Sequence, residues 1–411
     1  MLHDKEVLSI LQNESIREEN TIELIASENY VSKSVLSAQG SIFTNKYAEG
    51  YPNARYYGGC QYIDEIENLA IERAKKLFNT KFVNVQPHSG SQANMAVYLA
   101  LLNIGDTILG MSLTSGGHLT HGSKVNFSGK LFNFHHYTID ENTGCIDYDE
   151  VLEIAQEVKP RMIICGASAY SRTIDFQRFK EIADVVGAYL IADISHISGF
   201  IAVGLHPTPV GFADIVTTTT HKTLRGPRGA IIFTNNEEIF NKVQKSVFPG
   251  TQGGPLEHII AAKAVAFKEA LSPSFKMYQE NVLKNSKYLA EALINRNFNI
   301  ISSGTDNHLF IVDLQNIGVT GLEAQNLLES VNIAVSKSTI PNDTNSSWVT
   351  SGMRIGTPAI TSRGMDEKCM ERIADFIYNT LKNRDNIEML QRTKKEVLNF
   401  LEKYPIPDYY E

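Results

Sequence analysis

Apolar residues recur along this chain with the spacing of amphipathic helices, and short apolar runs stand between those helical segments. Within residues 62–78 every third or fourth residue is apolar and charged residues fill the gaps, which predicts a helix. Predicted strands and helices then alternate. The strands are expected at 83–85, 107–109, 132–137, 162–165, 189–192, 215–217 and 230–234, and the helices at 92–102, 148–158 and 176–186. Such alternation indicates a mostly parallel sheet covered by helices.

The pattern changes in the last third of the chain. Two long helical patterns are followed by shorter elements, namely helices at 256–271 and 276–295, a strand at 309–314, a helix at 321–331, a strand at 333–335 and two helices beyond Asp366. The change predicts a domain boundary within residues 272–290. A short amphipathic helix over residues 3–12 is interpreted as an arm that packs on a partner or on the main body. We therefore expect an α/β protein with an N-terminal arm (1–25), a large domain (26–280) and a small α+β domain (281–411).

Composition narrows the class of protein. Of 411 residues, 43% are apolar and 20% charged, as in an ordinary globular chain with enough material for a core. The net charge of -8 argues against nucleic acid or an anionic membrane as a partner. Residues 1–20 lack the apolar region of a secretory signal, and no apolar run approaches the ~20 residues of a membrane span. Four cysteines without a C-x-x-C pair predict a reduced, cytoplasmic protein without a disulfide frame or structural zinc.

One stretch places a lysine at the end of a predicted strand. Residues 217–220 are four threonines, which favour β structure, and His221, Lys222, Arg225 and Arg228 follow within a Gly- and Pro-containing turn. Neighbouring cations and partial burial lower the pKa of an ammonium group, and such a lysine can hold pyridoxal phosphate as a Schiff base. A loop lysine beside a β-bulge fits the same residues, so this stretch alone leaves both interpretations open.

Three further groups lie where open α/β sheets bind ligands. The residues His-Ser-Gly-Ser at 88–91 stand between a strand and a helix, which suits a phosphate site or a serine N-cap. Asp193 follows the strand at 189–192 and can pair with a pyridine nitrogen or cap a helix. His196 can reach the same ligand or lie in the core as a hydrogen-bonded histidine. His118 and His121 have the spacing of a metal pair, but no Cys, Asp or Glu cluster completes it, so no metal is predicted.

The stretch TTTTHKTLRGPRG at 217–229 closely resembles the cofactor-lysine signature of the serine hydroxymethyltransferases, pyridoxal-phosphate enzymes with the aspartate-aminotransferase-like fold (type I). More blocks resemble that family in the same order: IELIASEN (22–29), TNKYAEGYP (44–52), RYYGG (55–59), QPHSGSQAN (86–94) and RIGTP (354–358). The resemblance implies a large, mostly parallel sheet domain followed by a smaller α+β domain. It also implies pyridoxal phosphate as cofactor and tetrahydrofolate as co-substrate.

The resemblance implies roles for matching residues. Lys222 would bond the cofactor, Asp193 would pair with its ring nitrogen and keep it protonated, and Glu49 would transfer a proton near the serine hydroxyl. The implied catalytic residues are Lys222, Glu49, Asp193, His196 and His221. The implied cofactor-binding residues are Tyr47, Ser89, Gly90, Ser91, His118, Ser168, Asp193, His196, Thr219, Lys222 and Gly254. Family members contribute the residues matching Tyr47, Glu49, Gly253 and Gly254 across a dimer interface, so a homodimer with shared active sites is expected.

The substrate residues implied by the resemblance are Ser27, Tyr57, Arg354, Leu113, Gly117, His118, Leu119, Ser338, Ser346, Ser347 and Trp348. Arg354 would clamp the substrate carboxylate, since a guanidinium binds a carboxylate with two parallel hydrogen bonds. The expected reaction is the reversible conversion of L-serine and tetrahydrofolate to glycine and 5,10-methylenetetrahydrofolate.

Three departures from the family pattern concern folate: Ser115 in place of histidine, Ser336-Lys337-Ser338 in place of Asn-Lys-Asn, and Ser347-Trp348 in place of Pro-Phe. They leave open a folate-independent aldolase or an α-methylserine-type relative that acts on β-hydroxy amino acids. A ligand-sensing or RNA-binding pseudoenzyme is disfavoured, because Lys222, Asp193, His196 and Arg354 are intact and no basic patch is present.

Overall fold

The computed structural model describes residues 3–407, which form two units. Unit 2 comprises residues 31–280, and unit 1 comprises the described residues up to Tyr30 and from Asn281 onward. Residues 3–30, which the sequence pattern assigns to an arm and to the start of the large domain, thus group with the C-terminal residues. The three-part division into 1–25, 26–280 and 281–411 stays a prediction.

The helices and strands follow the chain in a regular order. The α-helices are α1 (Lys5–Glu19), α2 (Lys33–Gln39), α3 (Gln61–Phe78), α4 (Gly90–Leu101), α5 (Phe127–Leu131), α6 (Tyr148–Val158), α7 (Phe176–Val186), α8 (Ser198–Ala202), α9 (Glu237–Lys245), α10 (Glu257–Ala270), α11 (Pro273–Ile294), α12 (Gly321–Ser330), α13 (Pro358–Ser362), α14 (Glu367–Lys382) and α15 (Ile387–Leu401). The strands are β1 (Ile22–Glu23), β2 (Gly50–Tyr51), β3 (Ala54–Arg55), β4 (Phe82–Asn84), β5 (Thr107–Met111), β6 (Asn133–Tyr137), β7 (Met162–Cys165), β8 (Tyr189–Asp193), β9 (Ile215–Thr219), β10 (Ala230–Thr234), β11 (Asn299–Ile300), β12 (Leu309–Asp313), β13 (Ile333–Ala334), β14 (Ser336–Ser338) and β15 (Gly352–Gly356).

Unit 2 is built on a seven-stranded sheet in the order β4-β10-β9-β8-β7-β5-β6. Strand β10 runs antiparallel to β4 and β9, and the other neighbouring pairs are parallel. All residues of β7, β9 and β10 are buried, as expected for strands covered on both faces by helices. The mostly parallel sheet predicted from the alternation is confirmed.

The sheet brings two strand ends together. Strands β8 and β9 are parallel neighbours, and Asp193 lies opposite Thr217 in their register. Parallel strands end at the same edge of a sheet, which is where open α/β sheets bind ligands. Strand β9 continues two residues beyond its predicted end because Thr218 and Thr219 pair with β10. Lys222 then begins a short 3₁₀ turn, Lys222–Leu224.

Unit 1 contains a four-stranded antiparallel sheet in the order β11-β12-β15-β14, and a separate parallel pair, β1 with β13. Arg354 lies inside β15, a strand that the sequence pattern does not predict, and pairs with Ile311 and Ser336. Alternation along β15 buries Met353 and Ile355 in the core and turns Arg354 to the other face. Helix α1 is also longer than predicted: Asp4 caps its start, and it continues to Glu19.

Two further features of residues 3–407 are the length of the helices and the pairing of the cysteines. Crossing a membrane takes a helix longer or more apolar than any that residues 3–407 form. The four cysteines are all unpaired, and Cys60, Cys165 and Cys369 are buried. Burial raises the pKa of the Cys165 thiol.

Candidate active site

Asp193 is the most heavily hydrogen-bonded carboxylate of this sheet edge. Its Oδ1 accepts the Ser195 hydroxyl at 2.7 Å and the Ser195 backbone N–H at 3.2 Å. Its Oδ2 accepts the Asn94 amide at 2.9 Å and faces His121 Nε2 at 3.2 Å. Burial by itself raises the pKa of Asp193, but the bonds from His121 and Ser195 outweigh it and hold the pKa well below its usual value. Asp193 is therefore an ionised acceptor at neutral pH.

A short series of contacts joins Asp193 to Lys222. The Ser195 hydroxyl that donates to Asp193 also accepts the backbone N–H of Thr219 at 3.1 Å. Lys222 Nζ lies 3.4 Å from the Thr219 hydroxyl oxygen. The predicted pair of Asp193 and Lys222 at the ends of neighbouring strands is thus brought to one place by β8 and β9.

The backbone at Lys222 and the state of His221 differ from what the sequence suggests. Lys222 has a φ of 64°, in the left-handed region that non-glycine residues seldom adopt and that clusters at functional sites. His221 is half-buried, and this burial together with the charges of Lys222 and Arg228 lowers its pKa to about 3. The interpretation of His221 as one of the cations around Lys222 is therefore wrong, because its ring is neutral at neutral pH.

The start of α4 carries the residues proposed for a phosphate. Ser89 is the N-cap, and its side chain accepts the backbone N–H of Gln92. That bond leaves the first-turn N–H groups of Gly90 and Ser91 directed out of the helix, where the helix dipole favours an anion. A Cβ at Gly90 would come within 2.8 Å of Thr219 Cγ2, so this helix start lies against the residue that contacts Lys222. The cap and the phosphate interpretation are compatible.

His118 contacts both Thr120 and His121. The His118 ring Nδ1 lies 2.8 Å from the Thr120 hydroxyl and 3.2 Å from the Thr120 backbone N–H. The backbone N–H of His118 donates to His121 Nδ1 at 3.2 Å, which leaves the proton of a neutral His121 on Nε2, the atom facing Asp193. Burial lowers the pKa of His118 to about 4, so the His118 ring is neutral at neutral pH. No group of three or more possible metal ligands occurs among residues 3–407.

Two further predicted cofactor residues lie on the loops at this edge. The backbone N–H of Ser168 donates to the Gly116 carbonyl at 2.7 Å, which places Ser168 beside the segment 116–118. A Cβ at Gly117 would approach the Met111 carbonyl to 2.2 Å, so only glycine fits there. His196 is buried, and its carbonyl accepts the Thr223 hydroxyl, one residue after Lys222. Leu113 and Leu119, predicted to face substrate, are both 45% exposed on the neighbouring loop.

Tyr47, Glu49, Tyr57 and Gly254 form a second group in unit 2. The hydroxyls of Tyr47 and Tyr57 lie 3.5 and 3.4 Å from the two Glu49 carboxylate oxygens, and the two rings are 5.3 Å apart. A Cβ at Gly254 would touch the Tyr47 ring at 3.3 Å. Tyr47 and Tyr57 are 57% and 48% exposed. This group therefore presents its polar atoms on the surface of a single chain.

The predicted carboxylate clamp lies in unit 1. Arg354 is half-buried, and burial lowers the pKa of its guanidinium to about 10, which leaves it cationic at neutral pH. The backbone N–H of Gly356, two residues further along β15, donates to the Leu24 carbonyl at 2.8 Å. That contact brings the segment containing Ser27 to the end of the strand that carries Arg354.

The residues proposed for folate also lie in unit 1. Ser338 ends β14, and its hydroxyl donates to the Thr339 carbonyl at 3.1 Å. Trp348 is 79% exposed, and the Lys337 ammonium lies 5.7 Å from the centre of its ring. The Ser346 carbonyl accepts the backbone N–H groups of the two residues after Trp348, forming the turn that carries the tryptophan. The two altered segments are thus neighbours in space.

Several functional residues were missed by sequence reasoning. The residues around Asp193 that received no role are Asn94, Thr120, His121, Ser195 and Thr217. The available signal was polarity in an apolar context, since Asn94 stands in the buried helix segment Ala93–Tyr98. A polar residue inside a buried helix must find partners, and here those partners are at the active site.

The geometry agrees with comparisons to known proteins. A family profile described as serine hydroxymethyltransferase matches residues 1–377. A serine hydroxymethyltransferase of Lactobacillus johnsonii is 59% identical over 397 residues, which cover 96% of this chain and 97% of the relative. Taken with the lysine, aspartate and helix start gathered at one sheet edge, these matches show that the chain belongs to the serine hydroxymethyltransferase family.

Proposed function

We propose that this chain converts L-serine and tetrahydrofolate to glycine and 5,10-methylenetetrahydrofolate, reversibly and with pyridoxal phosphate as cofactor. The observation that carries the proposal is the contact series from Asp193 through Ser195 and Thr219 to Lys222. An ionised carboxylate and a lysine at or just beyond the ends of two neighbouring parallel strands suit the two ends of a pyridine aldehyde. The relative is named serine hydroxymethyltransferase, and this carboxylate and this lysine are groups that such a reaction requires.

The residues at the sheet edge fit pyridoxal phosphate. The ionised Asp193 can accept a hydrogen bond from a protonated pyridine nitrogen, and the Lys222 amine can bond to the aldehyde carbon. The first turn of α4, with Gly90 and Ser91, can bind the phosphate. The neutral His118 ring can stack on the cofactor face. When bound, the cofactor supplies an electron sink for the bond that breaks at the substrate α-carbon.

The remaining residues act on the substrates. Arg354, with Ser27, binds the serine carboxylate, and a bidentate pair orients the amino acid. Glu49, between the hydroxyls of Tyr47 and Tyr57, moves a proton at the serine hydroxyl. The nearby Glu49 carboxylate raises the pKa of Tyr57, so Tyr57 keeps its proton and can donate a hydrogen bond. Ser338, Ser347 and Trp348 face the folate.

The functional form is a homodimer in which Tyr47, Glu49, Tyr57 and Gly254 complete the site of the second copy. Tyr47 and Tyr57 are exposed on one chain, and Glu49 and Gly254 are partly exposed, which supports this proposal. A second support is α1, whose apolar residues Val7, Leu8, Ile10, Leu11 and Ile16 are 38–68% exposed. A symmetric partner would cover both surfaces. We also propose a cytoplasmic location, in keeping with the four unpaired cysteines.

The test of the reaction is product formation from L-serine with and without tetrahydrofolate, using protein loaded with pyridoxal phosphate. We expect glycine and 5,10-methylenetetrahydrofolate in equal amounts, and little glycine when folate is omitted. Equal rates of glycine formation with and without folate would instead identify a folate-independent aldolase.

Shared active sites are tested by mixing two inactive variants, Lys222→Ala and Glu49→Gln. In a mixed dimer one site would combine the intact Lys222 of one copy with the intact Glu49 of the other. Random exchange of subunits should then restore about a quarter of the wild-type activity. If the mixture stays as inactive as its components although exchange is verified, each chain builds its own site.

A further inference from the structure

Asn94 is a buried amide that makes three side-chain hydrogen bonds at the sheet edge. It is 1% exposed, and its two N–H groups donate to Asp193 Oδ2 and to the Thr120 hydroxyl, both at 2.9 Å. Its carbonyl oxygen accepts the Thr217 hydroxyl at 2.7 Å. One side chain therefore joins helix α4, the turn that follows His118, and the ends of strands β8 and β9.

The orientation of this amide is determined by its neighbours. If the amide were turned over, its carbonyl oxygen would face the Asp193 carboxylate in a buried environment. Two acceptors at hydrogen-bond distance repel each other, and a buried acceptor without a donor is costly. The N–H side of Asn94 must therefore face Asp193 and Thr120.

This orientation passes to His118 through Thr120. Because the Thr120 oxygen accepts from Asn94, its own hydrogen is free to donate to His118 Nδ1, 2.8 Å away. The backbone N–H of Thr120 donates to the same nitrogen at 3.2 Å. A ring nitrogen that receives two donors carries no proton, so the proton of neutral His118 is on Nε2.

We propose that Asn94 is a positioning residue, which binds the Asp193 carboxylate and the Thr120 hydroxyl together and so holds His118 in one orientation with its proton on Nε2. The proposal rests on the proposed function insofar as Asp193 and His118 contact the cofactor. Asn94 itself acts through these two residues. The Asn94 amide thus couples Asp193, which would contact the cofactor nitrogen, to His118, which would stack on the cofactor face.

The first experiment uses the protein without cofactor. Long-range ¹H–¹⁵N NMR of histidine-labelled protein reports which ring nitrogen carries the proton, and a His118→Gln variant assigns the His118 signal. In Asn94→Asp the new carboxylate draws the Thr120 hydrogen away from His118. The ratio of the two His118 tautomers should then shift toward Nδ1–H by roughly two- to tenfold, the worth of one neutral hydrogen bond.

A pair of threonine variants tests the same link with less risk to folding. Thr120→Val removes the hydroxyl and should shift the His118 tautomers in the same direction, whereas Thr120→Ser keeps the hydroxyl and should match wild type. Titration with pyridoxal phosphate should show affinity weakened by roughly tenfold in Asn94→Asp and Thr120→Val. If wild type binds no pyridoxal phosphate, the proposed function fails, while the NMR result still decides the role of Asn94.

The matched control is Asn285→Asp in unit 1. Asn285 is also 1% exposed and also donates two bonds, to the Thr361 hydroxyl at 2.8 Å and the Met365 carbonyl at 2.9 Å. The Asn285→Asp variant should lower the melting temperature and leave the His118 tautomers unchanged. If Asn94→Asp also lowers the melting temperature without changing the His118 tautomers, Asn94 only stabilises the fold and the proposal is wrong. The proposal is also wrong if Thr120→Val and Thr120→Ser show the same His118 tautomer ratio.

Discussion

Lys222 Nζ lies 3.4 Å from the hydroxyl of Thr219, three residues earlier, and the Lys222 backbone is left-handed. The turn directs the amine back over the end of its own strand. A buried lysine elsewhere in unit 2 provides a contrast: Lys263 Nζ donates to the carbonyls of Val85, Ala230 and Pro87. Burial lowers the pKa of Lys263 to about 7, yet its three donors are all engaged.

These two lysines lead to the first prediction. Borohydride reduction of protein loaded with pyridoxal phosphate, followed by peptide mapping, should place the label on Lys222. Lys263 should remain unlabelled, although burial lowers its pKa, because its amine has no open side from which to bond a carbonyl carbon. Label on Lys263, or on neither lysine, would contradict the assignment.

The second prediction concerns Asp193→Asn. The variant should still bind pyridoxal phosphate but lose most of its turnover, because a neutral amide does not keep the pyridine nitrogen protonated. Since the folded-state pKa of Asp193 is depressed, its stabilising effect is present above the unfolded value of ~3.9 and is lost as the pH falls below it. Urea unfolding should therefore show a stability difference from wild type at neutral pH that shrinks in acid.

A surface variant that removes the same type of charge is the control for the turnover and for the pH dependence of stability. Asp184→Asn removes an exposed carboxylate that pairs with Lys180 and should change neither turnover nor the acid dependence noticeably. If turnover of Asp193→Asn stays within a few-fold of wild type, Asp193 serves only as a structural hydrogen-bond acceptor.

The third prediction is that two buried carboxylates around Arg55 differ in protonation state and in the effect of their substitution. The Arg55 guanidinium is 2.6 Å from Glu67 but 3.7 Å from Glu257. Burial and the charge of Glu67 raise the pKa of Glu257 to about 9, so Glu257 is neutral at neutral pH. We expect Glu257→Gln to be tolerated and Glu67→Gln to lower activity, since Arg55 also donates to the Ala48 and Gly50 carbonyls on either side of Glu49.

The pH dependence of Glu257→Gln follows from the same shift. A raised folded-state pKa means that the stability tied to the neutral carboxyl is complete below the ordinary value of 4.5 and is lost as the pH rises toward 9. Glutamine does not titrate, so the variant should gain stability relative to wild type as the pH rises through this range. Thermal unfolding of both proteins at several pH values measures the difference. A constant difference would mean that Glu257 is charged throughout.

The fourth prediction is that Arg354→Lys weakens serine binding. A charge-assisted hydrogen bond is worth ~1.5–3 kcal/mol, so the loss of the bidentate geometry should raise the serine dissociation constant by tenfold or more. Arg372→Lys, which changes an exposed arginine paired with Glu396, is the control and should have no effect. Equal serine affinity in the two variants would place Arg354 outside the substrate site.

The fifth prediction concerns folate. Ser338 lacks the paired donor and acceptor of asparagine, and losing one such contact costs ~0.5–1.5 kcal/mol, up to about tenfold in affinity. Ser338→Asn should therefore tighten tetrahydrofolate binding, measured by titration in the presence of glycine, and leave serine and glycine affinities unchanged. Ser330→Asn on α12 serves as the control. No gain in Ser338→Asn would mean that the exposed Trp348 face already compensates.

The sequence by itself determined the secondary structure of the parallel sheet. Helices α6 and α7 and strands β7 and β10 begin and end where the pattern predicts, because their apolar periods are unbroken and bounded by caps or turns. Asp193 and Lys222 could also be found, since strand ends are visible in sequence and strand order in this class brings them to one edge. Family motifs supplied the remaining expected site residues.

Only the tertiary structure decided which side chains meet. The neutral state of His221 depends on burial in the fold, and the ionised state of Asp193 depends on Ser195, two residues later, and on His121, which comes from a segment distant in sequence. Strand β15, which carries Arg354, was not predicted because it is recognisable only through its pairing with β12 and β14. Hydrogen-bond geometry and desolvation arise from packing between segments, and no local pattern along the chain encodes them.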